Sequence, residues 1–357
     1  MSATGLIPTD VFLEPDDEIF TSDILEAAKK PSDRKLSLVW TGIIGFSFLH
    51  AGGLYGLWLM FTSAKLASTL LAVVLHLLGL LGITAGAHRL WSHHSYKANW
   101  PLRLFLVVCN SLAFQKSVIR WARDHRLHHK FGETDADPYN IKRGLFFAHI
   151  GCLLCRKHPM IKEKGQQLDM SDLRADPLLY YQDKYYKIVM PVTGPPVVCF
   201  VVPTVISVYF WGESFENACF VNFLRYCFSL NVIFLINSFA HRWGYKPYSK
   251  SGPGCEVQSL SVLALGEGWH NYHHTFPRDY RTSELGKYGM NLTTTFIEFF
   301  GKIGWAYDLK TMSNERIRNR VEKMGDGSHE IWGIKSRPVT KINHQTKNLT
   351  AVQDYNK

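Results

Sequence analysis

The 357-residue sequence predicts an all-α membrane protein with four transmembrane helices and a helical cap on their cytosolic side. Three observations carry this. Hydrophobic residues make up 46% of the chain, yet the mean hydropathy is only -0.08, so the apolar residues are gathered into blocks. Four blocks reach the roughly 20 residues that a helix needs to cross a bilayer. The basic residues lie almost entirely on one side of those blocks.

The elements follow in order. Residues 1–38 are polar, with Asp16, Asp17, Glu18 and Asp23 ahead of Lys29, Lys30, Arg34 and Lys35, and have no signal-peptide pattern. They read as a cytosolic N-terminal segment. The first span covers 39–61 and the second 66–86, joined by Thr62-Ser63-Ala64-Lys65. The third covers 188–210 and the fourth 217–239, joined by Trp211-Gly212-Glu213-Ser214-Phe215-Glu216. Each pair reads as a helical hairpin. Pro191, Pro195, Pro196 and Pro203 predict a kink in the third span. The hairpin loops hold a single basic residue, Lys65, so the segments 1–38, 87–187 and 240–357 face the cytosol. The apolar stretch 101–119 reads as a helix lying at the membrane face, because a fifth crossing would divide the histidines between two sides. The body of the protein spans 39–325, and 326–357 lacks periodic apolar residues and reads as a flexible cytosolic tail.

The formal charge of +10 and pI of about 9.2 suit an anionic partner, either a phosphate-bearing ligand, an acidic protein or a lipid surface. No zinc-finger or basic-helix pattern points to nucleic acid. Seven cysteines, three of them in apolar runs, argue against a secreted disulfide framework. Cys152-Leu-Leu-Cys155 has redox-motif spacing without the strand-then-helix context of one.

Sixteen histidines dominate the chemistry. Three clusters stand out: His88-Arg-Leu-Trp-Ser-His93, His125-Arg-Leu-His128-His129 and His270-Asn-Tyr-His273-His274. A further histidine closes Asn237-Ser-Phe-Ala-His241. All lie in segments that charge alone places in the cytosol. Positions i, i+3 and i+4 share a helix face, so each His-x-x-His-His cluster can aim three imidazoles at one point. His88 and His93 are i, i+5, roughly 140° apart on an ideal helix. Either the helix unwinds there or the two reach different metals. Nine imidazoles exceed the needs of one tetrahedral zinc. Two metals, each with four or five imidazoles, fit the count, and iron, zinc, copper or nickel would accept such ligands. Asn237 can complete a shell directly or through water. His50, His94, His149, His158, His329 and His344 read as ordinary surface or core histidines. A histidine-rich metal transporter or sensor is the non-enzyme alternative. Transporters, however, place polar ligands within their spans, and here the spans hold only His50 and His76 and no acidic residue.

Four stretches resemble the membrane acyl-CoA desaturases of the stearoyl-CoA desaturase type, with phrasing closest to the insect branch. They are Gly82-Ile-Thr-Ala-Gly-Ala-His-Arg-Leu-Trp-Ser-His93, Trp121-Ala-Arg-Asp-His-Arg-Leu-His-His-Lys130, Glu133-Thr-Asp-Ala-Asp-Pro138 and Gly266-Glu-Gly-Trp-His-Asn-Tyr-His-His-Thr-Phe-Pro277. The resemblance covers roughly residues 35–325. It implies a di-iron centre held in the cap by His88, His93, His125, His128, His129, His241, His270, His273 and His274, with Asn237 reaching iron through water. It implies fatty acyl-CoA as substrate, O2 as oxidant and cytochrome b5 as electron donor. It further implies a multi-pass location in the endoplasmic reticulum membrane with both termini cytosolic. Arg123 and Asp124 match residues that hold the CoA nucleotide, and Arg156 and Lys157 match a basic pair near its phosphates. Gln115 and Trp121 match positions at the bend of a buried acyl tunnel between the second and fourth spans. His76 and Leu80 match its far wall.

The chain also departs from the family. Ile233 and Phe234 stand where threonine and tryptophan are common, and Lys116 replaces an asparagine that touches the pantetheine arm. The double-bond position is therefore open, with delta-9 the first expectation, and Leu80 should shorten the tunnel. No His-Pro-Gly-Gly haem motif occurs; Lys157-His158-Pro159-Met160 is only an echo of one. A membrane di-iron lipid hydroxylase, or a desaturase of another lipid, is the alternative enzyme. Either way an unactivated C–H bond resists acids, bases and nucleophiles, so an oxidising cofactor must carry the hard step.

Overall fold

The computed structural model describes residues 35–188, 196–284 and 290–333. Its principal helices are α1 (Trp40–Thr62), α2 (Leu66–Leu81), α3 (Trp100–Ala113), α4 (Val118–Lys130), α5 (Pro177–Ile188), α6 (Val202–Trp211), α7 (Phe215–Ser238), α8 (Gln258–Leu263), α9 (His270–Thr275), α10 (Leu292–Lys302) and α11 (Asn314–Met324). One two-stranded antiparallel pair, β1 (Lys97–Ala98) and β2 (Ala306–Tyr307), sets Lys97 opposite Tyr307.

Among the described residues three helices are long and apolar enough to cross a membrane, in the first, second and fourth expected positions. The expected third span is only partly described: Val197–Trp211 is apolar but short, and residues 189–195, with Pro191 and Pro195, lie outside the described residues. Pro196 precedes a π-helical turn, Val197–Val201, and Pro203 sits in the first turn of α6.

The spans do not simply pair as sequential hairpins, because α1 runs along α7. Glycine permits that approach: a Cβ on Gly56 would fall 1.9 Å from the carbonyl oxygen of Phe220. Gly52 and Gly53 face Phe223 and Cys227 in the same way, a small-residue seam of the kind that lets membrane helices close on one another. A buried clasp continues the seam into the loops at this end. Glu213 accepts from the Lys65 amide at 2.8 Å and the Ser68 hydroxyl at 2.6 Å, joining the two hairpin loops.

The expected single helix over 101–119 is instead two helices bent by 81°. Phe114 and Lys116 have left-handed φ values of 51° and 78°, which side-chain-bearing residues cannot sustain within a helix. The bend turns α4 into the cap. Gly82 brings α3 close to the end of α2, since a Cβ there would lie 2.2 Å from the Asn110 nitrogen. Leu102, Leu106, Val118, Ala122, Leu179 and Ile297 are fully buried at the centre of the cap core. Burying each large aliphatic side chain contributes about 1.5–3 kcal/mol.

The packed chain extends past 325, the boundary expected for the body. Ile317 and Val321 of α11 pack on Tyr248, Tyr272 and Phe276 beneath α9. The following residues remain attached: the Lys246 amide donates to Asp326 at 2.7 Å, and His329 stacks on Trp332 at 4.9 Å. Of the expected flexible tail, 326–333 is therefore ordered against the body, because His329 is also held 3.1 Å from Glu284. Residues 334–357, with His344, lie outside the described residues, as do 1–34 of the N-terminal segment.

Candidate metal centre

All nine histidines converge in two groups. His88, His93, His125, His129 and His273 form one, and His128, His241, His270 and His274 form the other. Within each group the ligand nitrogens lie within 4.8 Å of one another.

Two features of this arrangement differ from the spacing argument. Each His-x-x-His-His cluster was expected to aim three imidazoles at one point. Instead the i, i+4 pairs stay together and the i+3 member crosses over. His125 and His129 serve one group and His128 the other; His270 and His274 serve one and His273 the other. On a helix, i+3 and i+4 point about 100° apart. The two nitrogen groups flanking α4 and α9 follow that divergence. The i, i+5 pair is brought together by a π-helical continuation of α2 over Gly82–Ser92. There the His93 amide donates to the His88 carbonyl at 3.2 Å, the i→i+5 bond of a π-helix. His88 and His93 thereby enter the same group.

The nitrogens are set for metal. Nε2–Nε2 separations are 2.9 Å for His88–His273, 2.7 Å for His93–His125 and 2.9 Å for His129–His273. In the second group they are 3.1 Å for His128–His241, 2.9 Å for His241–His270 and 3.0 Å for His270–His274. Metal–imidazole bonds of about 2.0–2.1 Å put right-angled ligand nitrogens about 2.9 Å apart and tetrahedral ones about 3.35 Å apart. The observed neighbouring values match right angles, as in octahedral or square-based coordination, rather than tetrahedral ones. Burial pushes His270 down to about 3 and holds His273 and His274 well below the usual histidine range, so these rings are neutral at pH 7. Converging lone pairs repel unless a cation lies between them.

Carboxylates fix the rings from behind. His88 Nδ1 lies 2.8 Å from Glu267 Oε2, and His128 Nδ1 lies 3.0 Å from Asp137 Oδ1. A carboxylate on Nδ1–H directs the Nε2 lone pair inward and raises its basicity. Burial pushes the Glu267 carboxyl up, but His88 and Arg89 more than offset this and hold it at about 2. Arg89 is itself 1% exposed. It donates to Glu267 Oε1, the Tyr280 carbonyl, Thr294 and Asn291, all within 3.2 Å. Sequence reasoning assigned no role to Glu267, Asp137 or Arg89, although all three sit inside the quoted family stretches.

A cavity of about 270 Å³ has His88, His125 and His270 in its lining. Gln115, Trp121, Ile233 and Asn237 line it, as do Lys116, Arg120, Phe234 and Tyr226. Trp121 stacks on His125 at 4.9 Å, so the wall of the cavity is also the wall of the metal site. Beside it, the fully buried Asp124 receives Lys116 at 2.8 Å, Arg123 at 2.8 Å and Lys157 at 2.7 Å. Three cations on one carboxylate leave a net positive charge there. Arg156 is separate: its amide donates to the Ser37 carbonyl at 2.8 Å, and it borders a small recess with Asp135.

His76 and Leu80 do not line the cavity. Leu80 is 1% exposed and packs in one cluster with Ile83, Ile233 and Ile236, so it backs the lining rather than forming it. His76 is turned to Ser229 at 2.8 Å. The histidines read as ordinary have ordinary partners: His50 and His149 on Asn231, His94 on Asp172, His158 near Asp135. Cys152 and Cys155 are free thiols.

Comparison with protein-family profiles matches residues 64–290 to "Fatty acid desaturase". The chain belongs to the fatty acid desaturase family. It is 55% identical to an acyl-CoA Delta-9 desaturase of Acheta domesticus, over 86% of this chain and 84% of that one. It is 49% identical to an acyl-CoA Delta(11) desaturase of Choristoneura rosaceana, over 90% and 97%. It is 50% identical to the stearoyl-CoA desaturase of Homo sapiens, over 85% and 82%. As a desaturase the protein is an oxidoreductase, and its long apolar helices make it a multi-pass membrane protein.

Proposed function

We propose that this desaturase introduces a double bond into a saturated fatty acyl-CoA, at the delta-9 position, using a pair of iron ions held by the nine histidines. The observation that carries the reading is one cavity, walled by Trp121 and Ile233, whose lining includes His88, His125 and His270 from the two converging histidine groups. The right-angle nitrogen separations favour iron over tetrahedral zinc, and Asn237, which lines the same cavity as His270, is proposed to complete a shell. When bound, the iron pair supplies the oxidant for unactivated C–H bonds.

The protein's own residues do the rest. Lys116, Arg123, Lys157 and Arg156 offer cations to the phosphate-bearing end of the substrate. Gln115 and Trp121 turn the acyl chain so that one carbon pair faces the centre, and the apolar walls exclude water and side reactions. Leu80, packed behind Ile83 and Ile233, limits how far that lining can yield to a longer chain. The reaction consumes O2, two hydrogens from the chain, and two electrons with two protons from a donor, giving the alkene and two waters. Cytochrome b5 is the proposed donor and the endoplasmic reticulum membrane the proposed location, with both termini cytosolic. Relatives named for Delta-9, Delta12 and Delta(11) positions lie at 55%, 52% and 49% identity. The bond position therefore rests on the Delta-9 relative being somewhat more similar.

Expression in desaturase-deficient yeast tests this, with mass spectrometry of fatty acids derivatised at the double bond. The expected product is a monounsaturated acyl chain with its bond at carbon nine. An alcohol would overturn the desaturase reading, and a bond elsewhere would overturn the position alone.

A further inference from the structure

We propose that Glu256 is a positioning residue of the histidine centre, whose side chain caps α9 and holds His270, His273 and His274 in place for metal. This rests on reading the nine histidines as a metal centre.

The helix α9 is six residues long and carries three of those histidines. Free helices shorter than about 12–15 residues are marginal in water, so this one depends on what holds it. Trp269, at its N-cap, makes no side-chain capping bond, and the first amides of a helix have no partner within it. Glu256 supplies one from another segment. Its Oε1 accepts from the Tyr272 amide at 2.7 Å, and the Asn271 amide also bonds its carboxylate. Asn271 and Tyr272 are the two residues that separate His270 from His273.

The backbone around Glu256 reaches a further histidine. The Cys255 amide donates to the carbonyl of Ala240, next to His241, at 2.6 Å. The Val257 amide donates to the carbonyl of Gly268, two residues before His270, at 2.8 Å. The 255–257 segment therefore bridges the His241 turn and α9, and His241, His270 and His274 share one nitrogen group. Asn271 fastens α9 to the preceding loop. Its Oδ1 accepts from the Tyr248 and Ser249 amides at 2.9 and 3.1 Å, and its Nδ2 donates to the Ser249 and Gly254 carbonyls at 3.1 and 3.2 Å.

Glu256 is buried, and among the described residues no lysine or arginine pairs with its carboxylate. Burial pushes the carboxyl up to about 8, against the pull of the two amides. Near neutral pH such a group serves through its acceptor oxygen rather than as an ion partner. A neutral amide of the same shape should therefore replace it, whereas an apolar side chain would leave buried amides unpaired.

The test titrates the full chain, purified in detergent and stripped of metal, with Co(II), which accepts imidazole ligands and whose visible absorption reports their arrangement. Glu256→Gln is expected to bind Co(II) as wild type does. Glu256→Leu is expected to lose about tenfold or more in affinity, with an altered absorption spectrum. Unchanged affinity and spectrum in Glu256→Leu would overturn the proposal even if thermal stability fell, because a residue that only supports the fold leaves the loaded centre as it was. Glu256→Gln as weak as Glu256→Leu would overturn it as well. Should Glu256→Leu not fold, Glu256→Asp decides, since it keeps the charge but withdraws the oxygens by one methylene. Weakened Co(II) binding by Glu256→Asp is expected, and wild-type binding would overturn the proposal. Wild type that took up no Co(II) would overturn the metal reading itself, and this proposal with it.

Discussion

Glu267 holds two neighbours at once: its Oε2 lies 2.8 Å from His88 Nδ1, and its Oε1 accepts from Arg89 at 2.9 Å. One buried carboxylate thus orients a histidine of the centre and anchors the arginine that ties the third histidine cluster to α10. We expect Glu267→Gln to lower metal affinity by about 10- to 100-fold, read as iron content after dialysis against a chelator. Retention of wild-type iron would remove Glu267 from that role.

The same carboxyl gives a pH dependence with a definite sign. Its folded value, about 2, lies below the usual 4.5. Its stabilisation is therefore present above pH 4.5 and is lost as pH falls towards 2. Thermal unfolding of metal-free protein from pH 7 down to pH 3 should show wild type losing this increment, while Glu267→Gln lacks it. Parallel curves for the two proteins would refute the assignment.

His128→Ala, His129→Ala and His273→Ala are each expected to abolish turnover while the protein still inserts into membranes. Each removes one Nε2 from a group whose neighbouring nitrogens lie 2.7–3.1 Å apart. Product at wild-type levels from any one of them would show that its imidazole is not a ligand.

Much of this was legible in the sequence, for physical reasons that also mark where legibility ends. Apolar blocks long enough to span a bilayer are unmistakable, and α1, α2 and α7 begin and end within a few residues of expectation, apart from the π-helical extension of α2. The nine histidines were legible because nitrogen ligands must cluster. How they divide was not, since the crossing of His128 and His273 depends on what faces α4 and α9. The π-helical bond between His93 and His88 leaves no trace in residue type. The break at Phe114 and Lys116 was hidden because neither is a residue that favours left-handed backbone.

Arg123→Ala should raise the apparent KM for acyl-CoA more than it lowers kcat. Arg123 shares Asp124 with Lys116 and Lys157 and does not line the cavity that meets the histidines, so its loss removes binding energy remote from the reacting carbons. Steady-state kinetics decide, and a collapse of kcat at constant KM would reverse the assignment.

The sequon Asn291-Leu-Thr293 should carry no glycan. Asn291 and Thr293 are both 0% exposed, and Asn291 is bonded to Arg89 and to the Arg281 carbonyl. Asn348-Leu-Thr350, outside the described residues, should be equally bare if the C-terminus is cytosolic. A glycosidase-sensitive mass shift at either sequon would contradict this.

Leu80→Ala should favour longer acyl chains. Removing a fully buried leucine typically costs about 2–5 kcal/mol through the cavity left behind. Here that cavity would lie behind Ile83 and Ile233 and could be filled by substrate, each added methylene gaining about 0.8 kcal/mol. Competition among fourteen-, sixteen- and eighteen-carbon acyl-CoAs reads the ratio. An unchanged ratio would detach Leu80 from chain-length control.

The crossing of His128 and His273 makes the two nitrogen groups mechanically interlocked. A rotation of α4 that tightened His125 and His129 on one centre would swing His128 off the other, and α9 imposes the same constraint through His273. Neither group can be reshaped as an independent unit. A substitution that shifts α4 or α9 should therefore disturb both groups together.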